Sequence, residues 1–330
     1  MTDWRPSVAR IRILDDPARY GFGQYERLMS QMPAFSKRGD ELRAYIEKMF
    51  THGKIIVIDE EGTLLGLMGI YANDFVGKAA YWSSIVVDSS LHGQGWGLRL
   101  LNCARAMCRD AGMETVGETV LKDNTRAVRL YRWFGFEFSE CASDPTRYSL
   151  RLRLGPPRLS VVCLARNAAP YIKAAIEGFL LQKTNFPIEI LIRDDASTDG
   201  TAEIIRDYAE SNPGMIRTVF REENRSSDVN ASMERLWTLI RGEYVAICGG
   251  TDRWTDLRKL QKQVDWLDAH PESSVCLAQN ESPDVPAQAN SAVFRWKLKG
   301  REGDIPSDAE ECGRFAMLMH AEQGPIGFIP

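Results

Sequence analysis

The spacing of apolar and polar positions divides the chain into two successive sets of elements. Arg10–Leu14 alternates with a period of two and predicts a strand. Tyr25–Met32 and Glu41–Phe50 repeat at helical spacing. Lys54–Asp59 and Leu64–Tyr71 predict strands joined by the acidic turn Glu60-Glu61-Gly62, and Ala79–Asp88 a longer strand. After a glycine-rich stretch come a helix through about Ala111, a strand at Thr115–Leu121, a helix from Asn124 to Phe134 and two closing strands. Beyond Gly155-Pro156-Pro157 the pattern changes. Arg158–Leu164 and Ile188–Ile192 are apolar runs, separated by a helical Ala169–Gln182 and followed by a helical Thr201–Glu210. Strand, helix, strand and helix make a βαβ unit, whose parallel strands are buried on both faces. The chain therefore predicts an α/β fold in two domains: 1–154, a Gly/Pro linker at 155–158, and 159–330.

At 330 residues the length suits two cores of ordinary size. A net charge of -4 gives no reason to expect a nucleic-acid or anionic-membrane partner. No run approaches the ~18–20 apolar residues of a membrane span, and no leader-like segment opens the chain, so the expectation is a cytoplasmic protein without a membrane span. The seven cysteines have no metal-ligand spacing and read as buried thiols.

The chemistry of the first half concentrates at 85–101. Ile85-Val86-Val87 leads into Gly93, Gly95 and Gly97, after which Leu98, Leu100 and Leu101 turn helical. Glycines at this spacing let backbone N–H groups converge on one point, and the helix adds its positive end, an arrangement suited to a pyrophosphate. The bland alternative is a turn that links strand to helix. Downstream, NTRAVRLYRWFGF (124–136) joins HGQGWG (92–97). Together these resemble the GNAT superfamily of N-acetyltransferases, with the likeness extending over roughly 10–153 and His92 standing first in the loop motif.

The resemblance implies acetyl-CoA, or another acyl-CoA, as donor. The strand ending at Val87 would splay from its neighbour through a bulge, and the backbone of Val86 and Val87 would pair with the pantetheine arm. The N–H groups around Gly93, Gln94, Gly95, Trp96, Gly97 and Leu98 would hold the pyrophosphate, Asn124 would contact the CoA arm, and Tyr131 would protonate the departing thiolate. Trp96 would either cover the CoA or pack beneath the loop. Glu118 is the candidate general base, with Tyr81, Ser84 and Asp74 as alternatives; a solvated carboxylate at a strand end is the competing reading for Glu118.

In the second half Ile188–Ile192 runs into RDDASTDGT at 193–201, with Arg166-Asn167 after the preceding strand. With GEYVAICGGTDRWTDLRKLQKQVDWLDAHPE at 242–272, this resembles the family-2 inverting glycosyltransferases of the GT-A fold. The expected architecture is thus a GNAT-like mixed sheet with helices, followed by a GT-A-like Rossmann-type parallel sheet. The resemblance implies that Asp195 holds the base of a nucleotide-sugar, flanked by Asp194 and Arg166, and that Asp252 ligates Mg²⁺ or Mn²⁺. Helix capping is the alternative for Asp194 and Asp195; Asp199 reads as a cap. Two departures stand out. Gly249 and Thr251 replace the carboxylates usual beside Asp252, and no residue after 280 fits the acceptor-activating base; Asp308, Glu310 and Glu311 read as a solvated face of a helix at Ser307–Met319. The closing GPIGFIP resembles a strand cut short, so a fragment of a longer polypeptide and a domain without catalysis both remain open.

The leading expectation is an N-acetyltransferase acting on an amine of an amino sugar in surface-glycan biosynthesis, fused to a nucleotide-sugar domain. The alternatives are an active inverting glycosyltransferase with an accessory acyltransferase, a non-catalytic sugar-nucleotide scaffold, and a protein N-terminus or lysine as the amine. The sequence leaves the oligomeric state open.

Overall fold

A computed structural model describes residues 9–32, 35–221, 236–273, 275–278, 292–295 and 326–329. The helix expected at Ser307–Met319, with Asp308, Glu310 and Glu311, lies outside the described residues, as does Cys312. The chain divides into two units, one comprising Met1–Gly155 with Ser211–Pro213, the other Pro156–Glu210 with Gly214–Pro330.

The first unit is a mixed sheet in the order β1-β2-β3-β4-β5-β7-β6. Its strands are β1 (Arg10–Ile13), β2 (Lys54–Glu60), β3 (Thr63–Asp74), β4 (Ala79–Val87), β5 (Thr115–Leu121), β6 (Glu137–Glu140) and β7 (Arg147–Arg153). Every pairing is antiparallel except β4 with β5. Helices α1 (Phe22–Met29) and α2 (Gly39–His52) pack Tyr25, Leu28, Leu42, Ile46 and Met49 against Ile55, Val57, Leu67 and Val86 of the sheet. Helices α3 (Trp96–Asp110) and α4 (Thr125–Phe134) complete the unit. The four central residues of β2, Ile55 to Ile58, are all inaccessible to solvent, because both faces of the strand are covered. Full burial of each such side chain is worth roughly 1.5–3 kcal/mol.

The first helix ends earlier than the apolar spacing predicts. From Ser30 the bonds tighten, with Gln31 N donating to Leu28 O and Met32 N to Met29 O, so the periodicity persists while the α-helix does not.

The second unit has the strand order β10-β9-β8-β11-β13-β12-β14. Its core is parallel: β8 (Leu159–Ala165) lies between β9 (Ile188–Asp194) and β11 (Tyr244–Gly249), with β10 (Ile216–Phe220) beyond β9. Antiparallel β13 (Ala292–Arg295) then joins β12 (Val275–Ala278), which pairs with β14 (Ile326–Ile329). Helices α5 (Ala169–Leu180), α6 (Thr201–Glu210) and α7 (Lys259–Ala269) belong to this unit. Asp194 is the last residue of β9 and not a residue beyond it, because its backbone pairs on both sides, with Ala165 and with Phe220.

No helix among the described residues is long and apolar enough to cross a membrane. Five of the six described cysteines are buried; Cys141 departs from the expectation and is partly exposed.

Candidate functional sites

In the first unit the site begins where β4 leaves its neighbours. Leu67 pairs with Val86 and Gly69 with Ser83, so Ser84 and Ile85 together face Met68 alone. This bulge places Ser84 at φ 54°, a left-handed conformation that is uncommon for a residue with a side chain. On its other side β4 pairs with β5 only through Ala79, Ala80 and Tyr81. From Trp82 to Val87 the strand has no partner on that edge, which leaves a wedge between β4 and β5.

The strand feeds a turn fixed by Asp88. Its carboxylate accepts from Ser90 N (3.0 Å), Ser90 Oγ (2.7 Å) and Gln31 Nε2 (3.0 Å), and is paired with the Arg27 guanidinium. Burial opposes ionisation here, but the bonds from Ser90, Gln31 and Arg27 outweigh it and hold the carboxyl well below the usual range. His92 Nε2 then donates to the carbonyl of Val87 (2.9 Å), and Arg126 Nη1 donates to His92 Nδ1 (2.8 Å). The neutral Nε2–H tautomer satisfies both contacts.

Gly93 (φ 83°) and Gly95 (φ 86°) supply the two left-handed turns of the loop, and Gly95 is the N-cap of α3. The N–H groups of Trp96, Gly97 and Leu98 therefore open the helix without intrahelical acceptors. Gln94 bonds through its side chain to Ser90 O (3.0 Å). Trp96 packs beneath the loop: its side chain is buried, with the Arg99 guanidinium 4.2 Å above the ring. It can contribute its backbone, but its indole cannot cover a ligand without moving.

Asn124 is the N-cap of α4, accepting from Ala127 N (3.2 Å). Tyr131 lies about two turns further along α4, buried, with its ring edge-on to Phe136 at 5.2 Å. Burial, with the nearby Glu118 and Tyr81, pushes its phenol well above the ordinary value and keeps it protonated. Glu118 lies in the middle of β5, not at a solvated end, and is 9% exposed. Burial raises its carboxyl to about 8, against the opposing pull of the Thr119 N–H and of Arg147. Thr119 N donates to Oε1 (2.9 Å), while Oε2 has no protein partner. Burial, with the nearby Glu118, raises the Tyr81 phenol. Asp74 lies away from it, in the β3–β4 hairpin, accepting from Gly77 N (2.8 Å).

In the second unit the motif residues lace two loops together at the carboxyl ends of β8 and β9. Asp194 Oδ2 accepts from Ser197 N (3.0 Å) and Ser197 Oγ from Asn167 N (2.9 Å). Asn167 Oδ1 accepts from Thr198 N (2.9 Å), and Thr201 Oγ1 from Ala168 N (2.8 Å). Asp199 accepts from Thr201 N (3.1 Å) and Ala169 N (3.0 Å), serving the first turns of both α6 and α5. Asp194 and Asp195 cap no helix. Asp194 is buried with Oδ1 unpartnered. Asp195 Oδ1 is shared by Arg193 Nη2 (2.9 Å) and Arg221 Nη1 (3.0 Å). Arg166 is exposed and follows Ala165, whose carbonyl accepts from Asp195 N (2.8 Å).

β8 and β11 run side by side where the connections diverge to opposite edges of the sheet, the position at which open parallel sheets bind ligands. There Gly250 N donates to Leu164 O (2.8 Å), and a Cβ on Gly250 would lie 3.0 Å from the Cβ of Ala165. Asp252 Oδ2 accepts from Gly249 N (3.1 Å). Among the described residues no three His, Cys, Asp or Glu side chains gather to hold a cation. Asp252 with Gly249 and Thr251 is not the carboxylate set that Mg²⁺ or Mn²⁺ favours.

Sequence reasoning missed the Asp88–Arg27–Gln31 lock, the His92–Arg126 contact and the Arg193–Asp195–Arg221 cluster. Each joins residues remote in the chain or depends on burial, and leaves no local signature.

Two family models match separate stretches of the chain. The acetyltransferase (GNAT) family model matches residues 24–136, and the glycosyl transferase family 2 model matches 160–320. An uncharacterised protein of Mycobacterium tuberculosis is 35% identical over 198 residues, 52% of this chain and 56% of that protein. A Bacillus subtilis protein provisionally named a teichuronic acid biosynthesis glycosyltransferase, TuaG, is 34% identical over 113 residues, 34% of this chain and 42% of that protein. The chain thus spans about half the length of the curated relatives it matches. Solved structures similar to parts of it include Ard1 from Thermoplasma volcanium (20% identity, 45% of this chain and 99% of that one, TM-score 0.38). They also include the mannosyltransferase PcManGT from Pyrobaculum calidifontis (22% identity, 73% of this chain and 65% of that one, TM-score 0.43).

Proposed function

We propose that the first unit transfers an acetyl or related acyl group from CoA to a primary amine, and that the second binds a nucleotide-sugar. The observation that carries the first part is the convergence of three features on one wedge. β4 and β5 part there, α3 presents its glycine-capped N-terminus, and Tyr131 and Glu118 approach from α4 and β5. The pyrophosphate would lie against the N–H groups from Gln94 to Leu98, and the pantetheine arm along β4 at Val86 and Val87, beside Asn124. The amine nitrogen attacks the thioester carbonyl, forming C–N as C–S breaks. Glu118, once ionised, takes the proton lost by the amine, and Tyr131 donates one to the departing sulfur.

The second unit would hold its nucleotide against Asp194, Asp195 and Arg166 at the carboxyl ends of the strands. The donor set around Asp252 favours binding over metal-assisted transfer. The similarity of this half to a protein named for teichuronic acid biosynthesis supports a glycan setting, and hence an amino sugar as the amine.

Calorimetric titration of the chain with acetyl-CoA tests the first part. Micromolar binding is expected, and none would return the glycine loop to a structural turn. Titration with UDP should give heat that a chelator does not change. Heat that appears only with Mn²⁺ would mean that Asp252 still suffices for a cation site.

A further inference from the structure

The wedge has two sides. One is formed by α4 and the buried carboxyl of Glu118. On the other, α2 faces the sheet, and strand geometry collects hydroxyl groups there. Tyr71 on β3 and Tyr81 on β4 are register partners, so their side chains leave the sheet on the same face. Ser83 follows Tyr81 by two residues and shares that face. In a regular strand Ser84 would point to the opposite face. The bulge and its left-handed φ bring it back instead. The Tyr45 hydroxyl, descending from α2, lies 2.8 Å from Ser83 Oγ and also contacts Ser84 Oγ, while the two serine oxygens are 3.4 Å apart. The Tyr81 ring lies over Gly117 on β5, where an added Cβ would come 3.5 Å from Cδ2.

This arrangement is more than a satisfied polar cluster. Tyr45, Ser83 and Ser84 make three contacts among themselves, the one between the serines long at 3.4 Å, so lone pairs remain on these oxygens for another partner. A strained residue held at such a bulge is a recurrent mark of a functional site. Tyr81 is 43% exposed and offers an aromatic face directly beside the wedge. Tyr45, Tyr71, Tyr81, Ser83, Ser84 and Thr119 all carry hydroxyls, and Arg147 Nη1 donates to Thr119 Oγ1 (3.3 Å).

We propose that this hydroxyl wall is the acceptor-binding surface, and that it takes an uncharged polyhydroxylated ring bearing a primary amine, an amino sugar. This rests on the acyltransferase reading above, but it is carried by the wall and not by the neighbouring domain. Sugar hydroxyls would pair with Tyr45, Ser83 and Ser84, and the C–H face of the ring would lie on Tyr81. A peptide acceptor would instead present amide groups and charged side chains in place of a ring of hydroxyls.

The test compares initial rates with acetyl-CoA and a panel of amines: glucosamine, galactosamine and mannosamine; cyclohexylamine, which has a ring without hydroxyls; and a short neutral peptide with a free N-terminus. The best hexosamine should exceed the other two in kcat/KM by at least about tenfold, because a site built to bond hydroxyls discriminates strongly against an analogue lacking them. Tyr45→Phe keeps the ring packed against Phe35, at 5.8 Å, and removes only the hydroxyl. It should raise KM for the hexosamine about fivefold while leaving kcat and the Kd for acetyl-CoA unchanged, and Ser83→Ala should act in the same direction. Equal or better rates with the peptide or cyclohexylamine would overturn the proposal, as would unchanged KM in both variants. If acetyl-CoA binds but no amine is acetylated, the wall is not an acceptor site. If acetyl-CoA does not bind at all, it is the acyltransferase reading that fails.

Discussion

His92 Nε2 lies 2.9 Å from the carbonyl oxygen of Val87, closing the loop that separates β4 from α3. The contact fixes the strand end relative to the glycines, so it should matter to ligand binding although His92 is exposed. His92→Ala should raise the Kd for acetyl-CoA about fivefold through loss of one net hydrogen bond. An unchanged Kd in calorimetry would show that Gly93 and Gly95 shape the loop unaided.

Tyr131 has the buried, firmly protonated phenol required of a proton donor. Tyr131→Phe preserves the edge-on contact with Phe136 and removes only the hydroxyl. Turnover should fall about 100-fold, within the usual range for one acid catalyst, with acetyl-CoA affinity unaltered. Turnover equal to that of the parent protein would end the acid role.

Glu118 gives opposite signs for activity and stability. Its carboxyl is raised to about 8 in the folded protein from an ordinary 4.5. Between these values the folded state binds more protons than the unfolded, so this group's contribution to stability falls as pH rises from 4.5 to about 8. Glu118→Gln should therefore melt above the parent protein at pH 8–9, with the difference shrinking towards pH 4.5. The parent's kcat/KM should rise with pH through about 8 as the base ionises, and the variant should lose both that rise and most of its rate. Melting curves and a pH–rate profile check the two halves separately.

Gly249 and Gly250 are adjacent but differ in the room around them. An added Cβ on Gly250 would meet Ala165 Cβ at 3.0 Å and Ala168 Cβ at 3.2 Å, whereas on Gly249 the nearest atom would be Asp252 Oδ1 at 3.6 Å. Gly250→Ala should cost about 1–3 kcal/mol of stability as β8 and β11 are forced apart. Gly249→Ala should cost distinctly less. Denaturant unfolding of the two variants decides it, and equal losses would contradict the packing account.

Much of the fold is legible in the chain because periodicity is local. Thr115–Leu121 and Thr201–Glu210 occur where the spacing places them. Boundaries drifted where pairing or turn bonds extend past the pattern, as at Asp194 and Ser30. The glycines of the loop were equally legible, since a left-handed backbone leaves its mark on residue type. The state of Glu118 was not: nothing in Thr115–Leu121 distinguishes a solvated carboxylate from one enclosed by the rest of the unit.

The sequence by itself determined the order of the elements, the glycine-shaped loop before α3 and the motif that laces β8 to β9. These depend on backbone sterics and side chains a few residues apart. Only the tertiary structure decided which groups are buried, paired or open. It joined Tyr45 to Ser83 across 38 positions and Gln31 to Asp88 across 57, and it committed Asp195 to Arg193 and Arg221. Desolvation and ion pairing depend on what the whole fold brings within a few ångströms, and no local pattern carries that information.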